Sequence, residues 1–253
     1  TFSKFMADRN KIIKFCEEYL KVFDFSDDCK NGLQVEGVTK VNKIVTGVTF
    51  SQKLLEKAVE KQADMIMVHH GLFNKAMGGP VQIKGFVRNR LKMLLENNIN
   101  LAGFHLPLDA HPEIGNNISL ARLFELSDLE AFDIGFMGYL PEETDFDKFD
   151  RQVREKLNTD TYTIPAGPNK CRRVAVCSGG ASPDFFLAAE QGADTYISGD
   201  VRENVVREIE ETGINFINAG HYNTEKMGIY NLGELLKEKF NIEAEFIDIP
   251  CDI

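Results

Sequence analysis

The apolar residues of this chain follow two patterns. Where they recur every three or four residues they predict amphipathic helices, and where they form short runs rich in valine and isoleucine they predict buried strands. In the first half, helices are predicted over 8–23, 52–62, 84–97 and 118–124, and strands over 41–50, 65–68 and 99–104. Strands that alternate with helices predict a parallel sheet with right-handed crossover connections.

The second half repeats this pattern after an acidic stretch, 127–147, which is predicted to be irregular. A helix is predicted over 146–157. Beyond it, strands over 172–180, 193–200, 214–219 and 244–249 are predicted to alternate with helices over 182–191, 203–212 and 224–240. We therefore predict an α/β fold made of two similar α/β lobes from an internal duplication. The predicted lobes are residues 1–127 and 128–253, with the C-terminal segment packing back on the first lobe.

The internal repeat extends to individual residues. Ala63-Asp64 before one apolar strand matches Ala193-Asp194 before another, and residues 98–101 match 213–216. A histidine follows each of the latter stretches, His105 and His221, and a carboxylate follows each histidine four residues later. The repeat makes a chance placement of these histidines less probable.

Three loops receive separate predictions. The prolines at 107 and 112 are expected to keep the segment after His105 non-helical, and Gly115-Asn116-Asn117 is expected to form a tight turn. Residues 71–81, with Gly78-Gly79-Pro80, are predicted to form a loop.

Composition and charge narrow the class of protein. With 43% hydrophobic and 27% charged residues among 253, the chain has the composition of an ordinary soluble globular protein. It shows neither a signal-peptide pattern nor an apolar run of membrane-spanning length. Its five cysteines contain no CxxC pair, which favours reduced thiols in the cytoplasm. A net charge of −10 argues against a nucleic-acid partner.

Histidines and carboxylates cluster where predicted strands end. His69-His70 ends one strand, His105 precedes Asp109, and His221 precedes Glu225. Because ligands of open α/β sheets bind at the carboxyl ends of the strands, these side chains are expected to meet. Imidazoles and carboxylates are typical ligands of zinc, iron and manganese. The pattern predicts a metal site, favours two ions over one, and indicates hydrolysis as the default chemistry.

Two further features have weaker interpretations. The backbone amides of Ser178-Gly179-Gly180 are able to hold an anion, but a tight turn is the favoured interpretation. Asp200 occupies the repeat position of His70, and the hypothesis is that it lines the same cleft.

Taken together, these residues resemble the NGG-interacting-factor-three-like family, whose members are often called GTP cyclohydrolase I type 2 homologues. The resemblance spans nearly the whole chain and is closest to short members that lack an inserted middle domain. One departure is Ser198-Gly199-Asp200, where many members carry Thr-Gly-Glu. The stretches that carry the resemblance are Asn31–Gly37, Lys43–Val48, Val68–Gly71, His105–Ala110, Gly115–Asn117, Ser198–Asp200, Ala219–His221 with Glu225, and Phe246–Pro250.

The resemblance implies a dinuclear metal site. One ion would bind His70, Asp109 and Glu225, and the other would bind His69 and His221, with Glu225 bridging. His105 would then lie near the site, as a candidate catalytic proton shuttle. The resemblance also implies a ring-shaped homohexamer, a trimer of dimers, with two divalent ions per chain.

Three classes of function are open, of which a nucleic-acid or transcription-factor partner is disfavoured by the acidic composition. The leading prediction is a metal-dependent hydrolase of a small molecule, with nucleotides as one candidate class. The alternative is a metal-binding chaperone or regulatory scaffold without turnover. The metal, zinc, iron or manganese, is not distinguished by the sequence.

Overall fold

The computed structural model describes residues 6–73 and 82–251. Most of the predicted 71–81 loop, including Gly78-Gly79-Pro80, lies outside the described residues. In chain order the elements are β1 (Ala7–Asp8), α1 (Arg9–Tyr19), β2 (Gly32–Val35), β3 (Lys40–Val41), β4 (Lys43–Thr49), α2 (Gln52–Glu60), β5 (Met65–His70), α3 (Gly85–Glu96), β6 (Asn100–Gly103), α4 (Leu106–Asp109) and α5 (Asn116–Leu123).

The remaining elements follow the same alternation. They are β7 (Ser127–Phe132), β8 (Gly135–Asp145), α6 (Phe146–Leu157), β9 (Tyr162–Pro165), β10 (Lys170–Cys177), α7 (Phe185–Glu190), β11 (Thr195–Ser198), α8 (Glu203–Thr212), β12 (Asn215–Asn218), α9 (His221–Phe240) and β13 (Glu243–Phe246). The α/β fold class predicted from the sequence is confirmed. Among the described residues, no helix combines the length and apolarity needed to cross a membrane.

The chain divides into two compact units whose bounds differ from those of the predicted lobes. Unit 1 is Thr1–Leu108 with Gly228–Ile249, and unit 2 is Asp109–Met227 with Pro250–Ile253. Strand β13 pairs with β4 in parallel, so that the C-terminal segment belongs to the first sheet.

The sheet of unit 1 has the strand order β13-β4-β5-β6-β2 in the described residues. Its first four strands are parallel, and β2 is antiparallel at the edge. Ser51 caps α2, because its hydroxyl accepts a hydrogen bond from the backbone N–H of Leu54 at 3.2 Å. Valines, leucines and isoleucines of β4, β5, β6 and α2 form the core that supports this sheet.

The sheet of unit 2 has the order β7-β8-β10-β11-β12-β9. Here β10, β11 and β12 are parallel, and β9 is antiparallel beside β12. Successive residues of β10 enter two different cores, since Val174 and Val176 join one apolar cluster and Ala175 and Cys177 join another. Both faces of this sheet are therefore buried, which accounts for the nearly continuous apolar run.

The two units use the same hydrogen bonds at matching positions of the repeat. Asp64 accepts from two successive backbone N–H groups at the start of β4, at 2.7 and 3.0 Å. Asp194 accepts from two successive N–H groups of β10, at 2.8 and 2.7 Å. Asn100 and Asn215 each bind a neighbouring backbone N–H and C=O through the side-chain amide. These bonds agree with an internal duplication.

Three local predictions were wrong. The acidic stretch expected to be irregular forms the antiparallel hairpin of β7 and β8, because β8 pairs along its length with the buried strand β10 and β7 pairs with β8. A short helix, α4, includes Pro107, since proline is tolerated in the first turn, where no intrahelical N–H partner is required. Asn116 and Asn117 begin α5 after the N-cap Gly115 and do not form an isolated turn.

Candidate functional site

Strand β5 supplies the two adjacent histidines of unit 1. Residues 65–68 are fully buried, and His69 and His70 are the last two residues of the strand. His69 is buried at 1% exposure, whereas His70, the last residue of the strand, is only partly covered. The backbone N–H of Phe50 donates to the His70 carbonyl at 2.9 Å, which extends the parallel pairing to the end of the strand.

Hydrogen bonds hold both rings. The Nδ1 of His69 is 2.9 Å from the Phe104 carbonyl oxygen, and since a carbonyl only accepts, Nδ1 carries the proton. The lone pair of His69 is therefore on Nε2, as in histidines that bind metals through that atom. The Nδ1 of His70 is 3.1 Å from the hydroxyl of Thr49 on the neighbouring strand.

His105 completes a group of three imidazoles in unit 1. It follows β6, and its ring centroid is 5.0 Å from that of His69 and 5.6 Å from that of His70. One ring nitrogen from each of the three histidines lies within 4.8 Å of the other two. The parallel strands β5 and β6 bring these rings together because both strands end at the same edge of the sheet.

A carboxylate that the sequence analysis missed contacts His105. Asp27 has an almost fully buried side chain, and its Oδ1 is 2.9 Å from His105 Nδ1. Burial alone would raise the pKa of Asp27, but hydrogen bonds from His105, Cys29 and Asn31 outweigh it and lower the pKa to about 2. Asp27 is therefore a carboxylate near neutral pH.

The segment that follows His70 is held by Gln34. The Gln34 carbonyl oxygen accepts from the Leu72 backbone N–H at 2.8 Å, and its amide donates to the Lys30 carbonyl at 2.6 Å. A Cβ at Gly71 would lie 2.2 Å from the Gln34 amide nitrogen, and a Cβ at Gly103 would lie 2.8 Å from it. Glycine at both positions leaves room for the Gln34 amide, which would have to shift if either residue had a Cβ.

In unit 2, helix α9 presents His221 and Glu225. His221 is the first residue of the helix and Glu225 lies one turn later, which places both side chains on one face. His221 Nε2 is 3.2 Å from Glu225 Oε2, and the glutamate side chain is only 4% exposed. A buried carboxylate is costly in the absence of positive charge, and a divalent cation supplies that charge.

The turn after β10 leaves space beside Glu225. Gly179 has a φ of 63°, and a Cβ there would lie 1.9 Å from Glu225 Oε1 and 3.2 Å from His221 Nε2. Its backbone N–H donates to the Thr224 hydroxyl at 3.0 Å, and the Ser178 N–H donates to the Asn117 side chain at 2.7 Å. These amides bind acceptors of the protein, so the tight turn is favoured over the anion site.

Asp109 is a second buried carboxylate of unit 2, at 3% exposure. Its Oδ1 accepts from the Asn116 amide at 2.8 Å and from the Ser178 hydroxyl at 3.0 Å. Both donors hold the carboxylate in one orientation. Carboxylates that bind metals are commonly held in this way by hydrogen bonds from neighbouring side chains.

His111, Asp200 and the cysteines are not among the proposed metal ligands. The ring Nδ1 of His111 accepts from the backbone N–H groups of Glu113 and Ile114 at 3.2 and 3.3 Å, which indicates a structural role in its loop. Asp200 lies near the Gly179-Gly180 turn, with Oδ2 3.4 Å from where a Gly180 Cβ would be. All five cysteines lie in the described part of the chain, and their thiols form no disulfide there.

The donor atoms of these clusters suit a borderline divalent ion. Unit 1 holds imidazole nitrogens, one with its tautomer set by a carbonyl. Taken by itself, unit 2 holds buried carboxylates, an imidazole and a glycine that keeps space beside one of the carboxylates. Zinc, iron and manganese accept such mixed nitrogen and oxygen ligands. The residues present therefore fit the metal that the sequence predicts.

The chain is similar to known proteins over most of its length. A family model described as Duf34/NIF3 (NGG1p interacting factor 3) matches residues 7–252. A Pseudomonas aeruginosa protein named GTP cyclohydrolase 1 type 2 homolog is 44% identical over 245 residues, which cover 94% of this chain and 96% of that protein.

Solved structures also share the fold. One described as structural genomics protein ybgI, of unknown function, has a TM-score of 0.93 and 41% identity, covering 98% of this chain and 100% of that chain. The structure of TTHA1606 from Thermus thermophilus has a TM-score of 0.90 and 33% identity, with the same coverage. The chain therefore belongs to the Duf34/NIF3 (NGG1p interacting factor 3) family.

Proposed function

We propose that this protein is a cytoplasmic metal-dependent hydrolase of a small molecule, with two divalent ions per chain. The observation that carries the proposal is the group of three imidazoles at the ends of β5 and β6, whose ring nitrogens lie within 4.8 Å of one another. The buried carboxylates of unit 2 support it, because they are the oxygen donors that such ions require. The proposed metal ligands are His69, His70, Asp109, His221 and Glu225.

The proposed chemistry is the addition of water to an electrophilic carbon or phosphorus. A divalent ion supplies, when bound, a water molecule whose pKa is lowered toward about 7. His69 and His70 present imidazole nitrogens, and Thr49 and the Phe104 carbonyl hold the two rings in place. In this proposal His105 accepts a proton from the attacking water and later returns it. Its ring lies near His69 and His70, and 22% of its side-chain surface is exposed.

The names of the relatives indicate which class of substrate to test first. Several are named GTP cyclohydrolase 1 type 2 homolog, among them those of Pseudomonas aeruginosa and Escherichia coli. We therefore propose purine nucleotides as the first compounds to test, followed by phosphoesters and cyclic amides.

The metal content of the purified protein tests this proposal. We expect about two equivalents per chain for the wild type, and fewer for Glu225→Ala, because the variant removes the proposed bridging carboxylate. Glu234→Ala is the matched control, since Glu234 lies on the same helix but forms an exposed ion pair with Lys237. Elemental analysis of protein purified without added metal gives the result.

Two outcomes would contradict the proposal. A correctly folded wild type with no bound metal would leave the histidines as pocket residues and favour a binding or scaffold role. Equal metal content in Glu225→Ala and the wild type would remove Glu225 from the ligand set.

The role of His105 has its own test. We expect His105→Ala to retain metal and to lose about 10²- to 10⁴-fold in kcat on a substrate found by the screen, as expected for loss of a proton-transfer group. Steady-state kinetics and metal analysis of the same preparation measure both quantities. Full turnover with full metal content would show that His105 has no catalytic role.

A further inference from the structure

Four hydrogen-bonding groups surround the buried carboxylate of Asp27 in unit 1. Asp27 Oδ1 accepts from the Cys29 backbone N–H and lies beside His105 Nδ1, both at 2.9 Å. Asp27 Oδ2 accepts from the Asn31 amide at 2.9 Å and from the Leu106 backbone N–H at 3.1 Å. Three of these donors are backbone or amide N–H groups, so the carboxylate cannot rotate away without losing them.

His105 is thereby held at two points. Its backbone N–H donates to the Asn31 side-chain oxygen at 2.7 Å, and its ring contacts Asp27. Because an ionised carboxylate only accepts hydrogen bonds, the ring must donate through Nδ1. In the neutral imidazole the lone pair is then on Nε2, the nitrogen remote from Asp27.

We propose that Asp27 is the positioning residue of His105, holding the imidazole in the Nδ1-protonated tautomer so that Nε2 is the proton acceptor. The inference deepens the proposed function and rests on it where it assigns a proton to His105. It adds a residue that acts through His105. A carboxylate that fixes the tautomer of a histidine in this way also makes the other ring nitrogen more basic and more nucleophilic.

A purely structural role for Asp27 predicts something different. Asn31 also ties the loop to His105, since its side-chain oxygen accepts from the His105 backbone N–H, and its amide donates to Asp27. If Asp27 only stabilised the loop, removal of Asn31 and removal of the Asp27 charge would affect His105 alike. If Asp27 positions the ring, the Asp27 variant changes the chemistry of Nε2 much more than the Asn31 variant does.

The test is the rate at which diethyl pyrocarbonate modifies His105 in the metal-loaded protein at neutral pH, followed by peptide mass spectrometry. His105 is partly exposed, so the reagent has access to it. We expect Asp27→Asn to slow modification about 10- to 100-fold, the range in which such outer partners act. Asn31→Ala, the comparison variant, removes one donor to Asp27 and the bond to the His105 backbone but leaves the Asp27–ring contact, so it is expected to slow modification clearly less than Asp27→Asn does.

An unchanged rate in Asp27→Asn, or equal slowing in both variants, would overturn the inference. If Asp27→Asn does not fold, neutron diffraction of the wild type decides the question: a deuteron on His105 Nδ1 supports the inference and one on Nε2 alone refutes it. Neither measurement requires a substrate. Failure to find hydrolysis would therefore refute the proposed function without touching the role of Asp27.

Discussion

At the scale of single residues, the proposed metal site depends on neighbours that fix the tautomer of a histidine or the orientation of a carboxylate. His69 has its proton directed to the Phe104 carbonyl, which leaves Nε2 as the basic nitrogen. Asp109 is oriented by Asn116 and Ser178. Glu225 keeps its conformation only because the facing residue, Gly179, has no Cβ.

Gly179→Ala is expected to weaken metal binding. The added Cβ would lie 1.9 Å from Glu225 Oε1, so that the carboxylate must move, and the φ of 63° is also unfavourable for alanine. We expect a loss of metal affinity of about 10- to 100-fold. Isothermal titration of metal-depleted protein with zinc measures the change.

Gly180→Ala provides the matched control for this prediction. A Cβ at Gly180 would have ordinary contacts, the nearest being 3.4 Å from Asp200 Oδ2. We expect its zinc affinity to remain within a few-fold of the wild type. Equal affinities for Gly179→Ala and Gly180→Ala would mean that the position of Glu225 does not matter for metal binding.

At the scale of the elements, the histidines meet because parallel strands start and end in register. The carboxylate of Asp64 holds the start of β4, and its counterpart Asp194 holds β10. Each aspartate follows a helix–strand connection with a positive φ, 54° at Gln62 and 86° at Gly192. The repeat therefore preserves a connection that sets strand register, and register determines which residues reach the end of the sheet.

Asp64→Ala is expected to destabilise the protein. Two hydrogen bonds from backbone N–H groups to a carboxylate are lost, which costs about 2 to 3 kcal/mol of the free energy of unfolding. Asp64→Asn is expected to lose less, because both donors bind the same oxygen, Oδ2, and an amide oxygen can accept them too. Denaturant unfolding of both variants and the wild type measures the difference. Equal stability of Asp64→Ala and wild type would rule out this role.

At the scale of the whole molecule, we propose that the chain forms a homohexamer. The resemblance of its motifs to the family carries this proposal, and large apolar side chains exposed on the chain, Ile83, Phe86 and Leu95 among them, agree with burial in an assembly. Light scattering coupled to size-exclusion chromatography is expected to give about six times the chain mass of 28.5 kDa. A mass equal to that of one chain at micromolar concentration would contradict the proposal.

The sequence predicted the fold to the extent that local pattern encodes it. The helices at 146–157 and 203–212 match α6 and α8 in the structure, because amphipathic spacing and terminal residues are local signals. The hairpin of β7 and β8 was missed, because five of the six residues of β7 are exposed and the strand therefore shows no alternation of buried apolar positions. Strand β9 was missed for a similar reason, since it has only four residues at the sheet edge.

By itself, the sequence determined the fold class, the repeated strand–helix units and the histidines that end β5. Only the tertiary structure revealed which partners hold those side chains. Asp27 and His105 are 78 residues apart and Asp109 and Ser178 are 69 apart, so no local pattern relates them. The physical reason is that strand order and register bring distant segments together. The hydrogen bonds that set a tautomer or orient a carboxylate form only once these segments have come together.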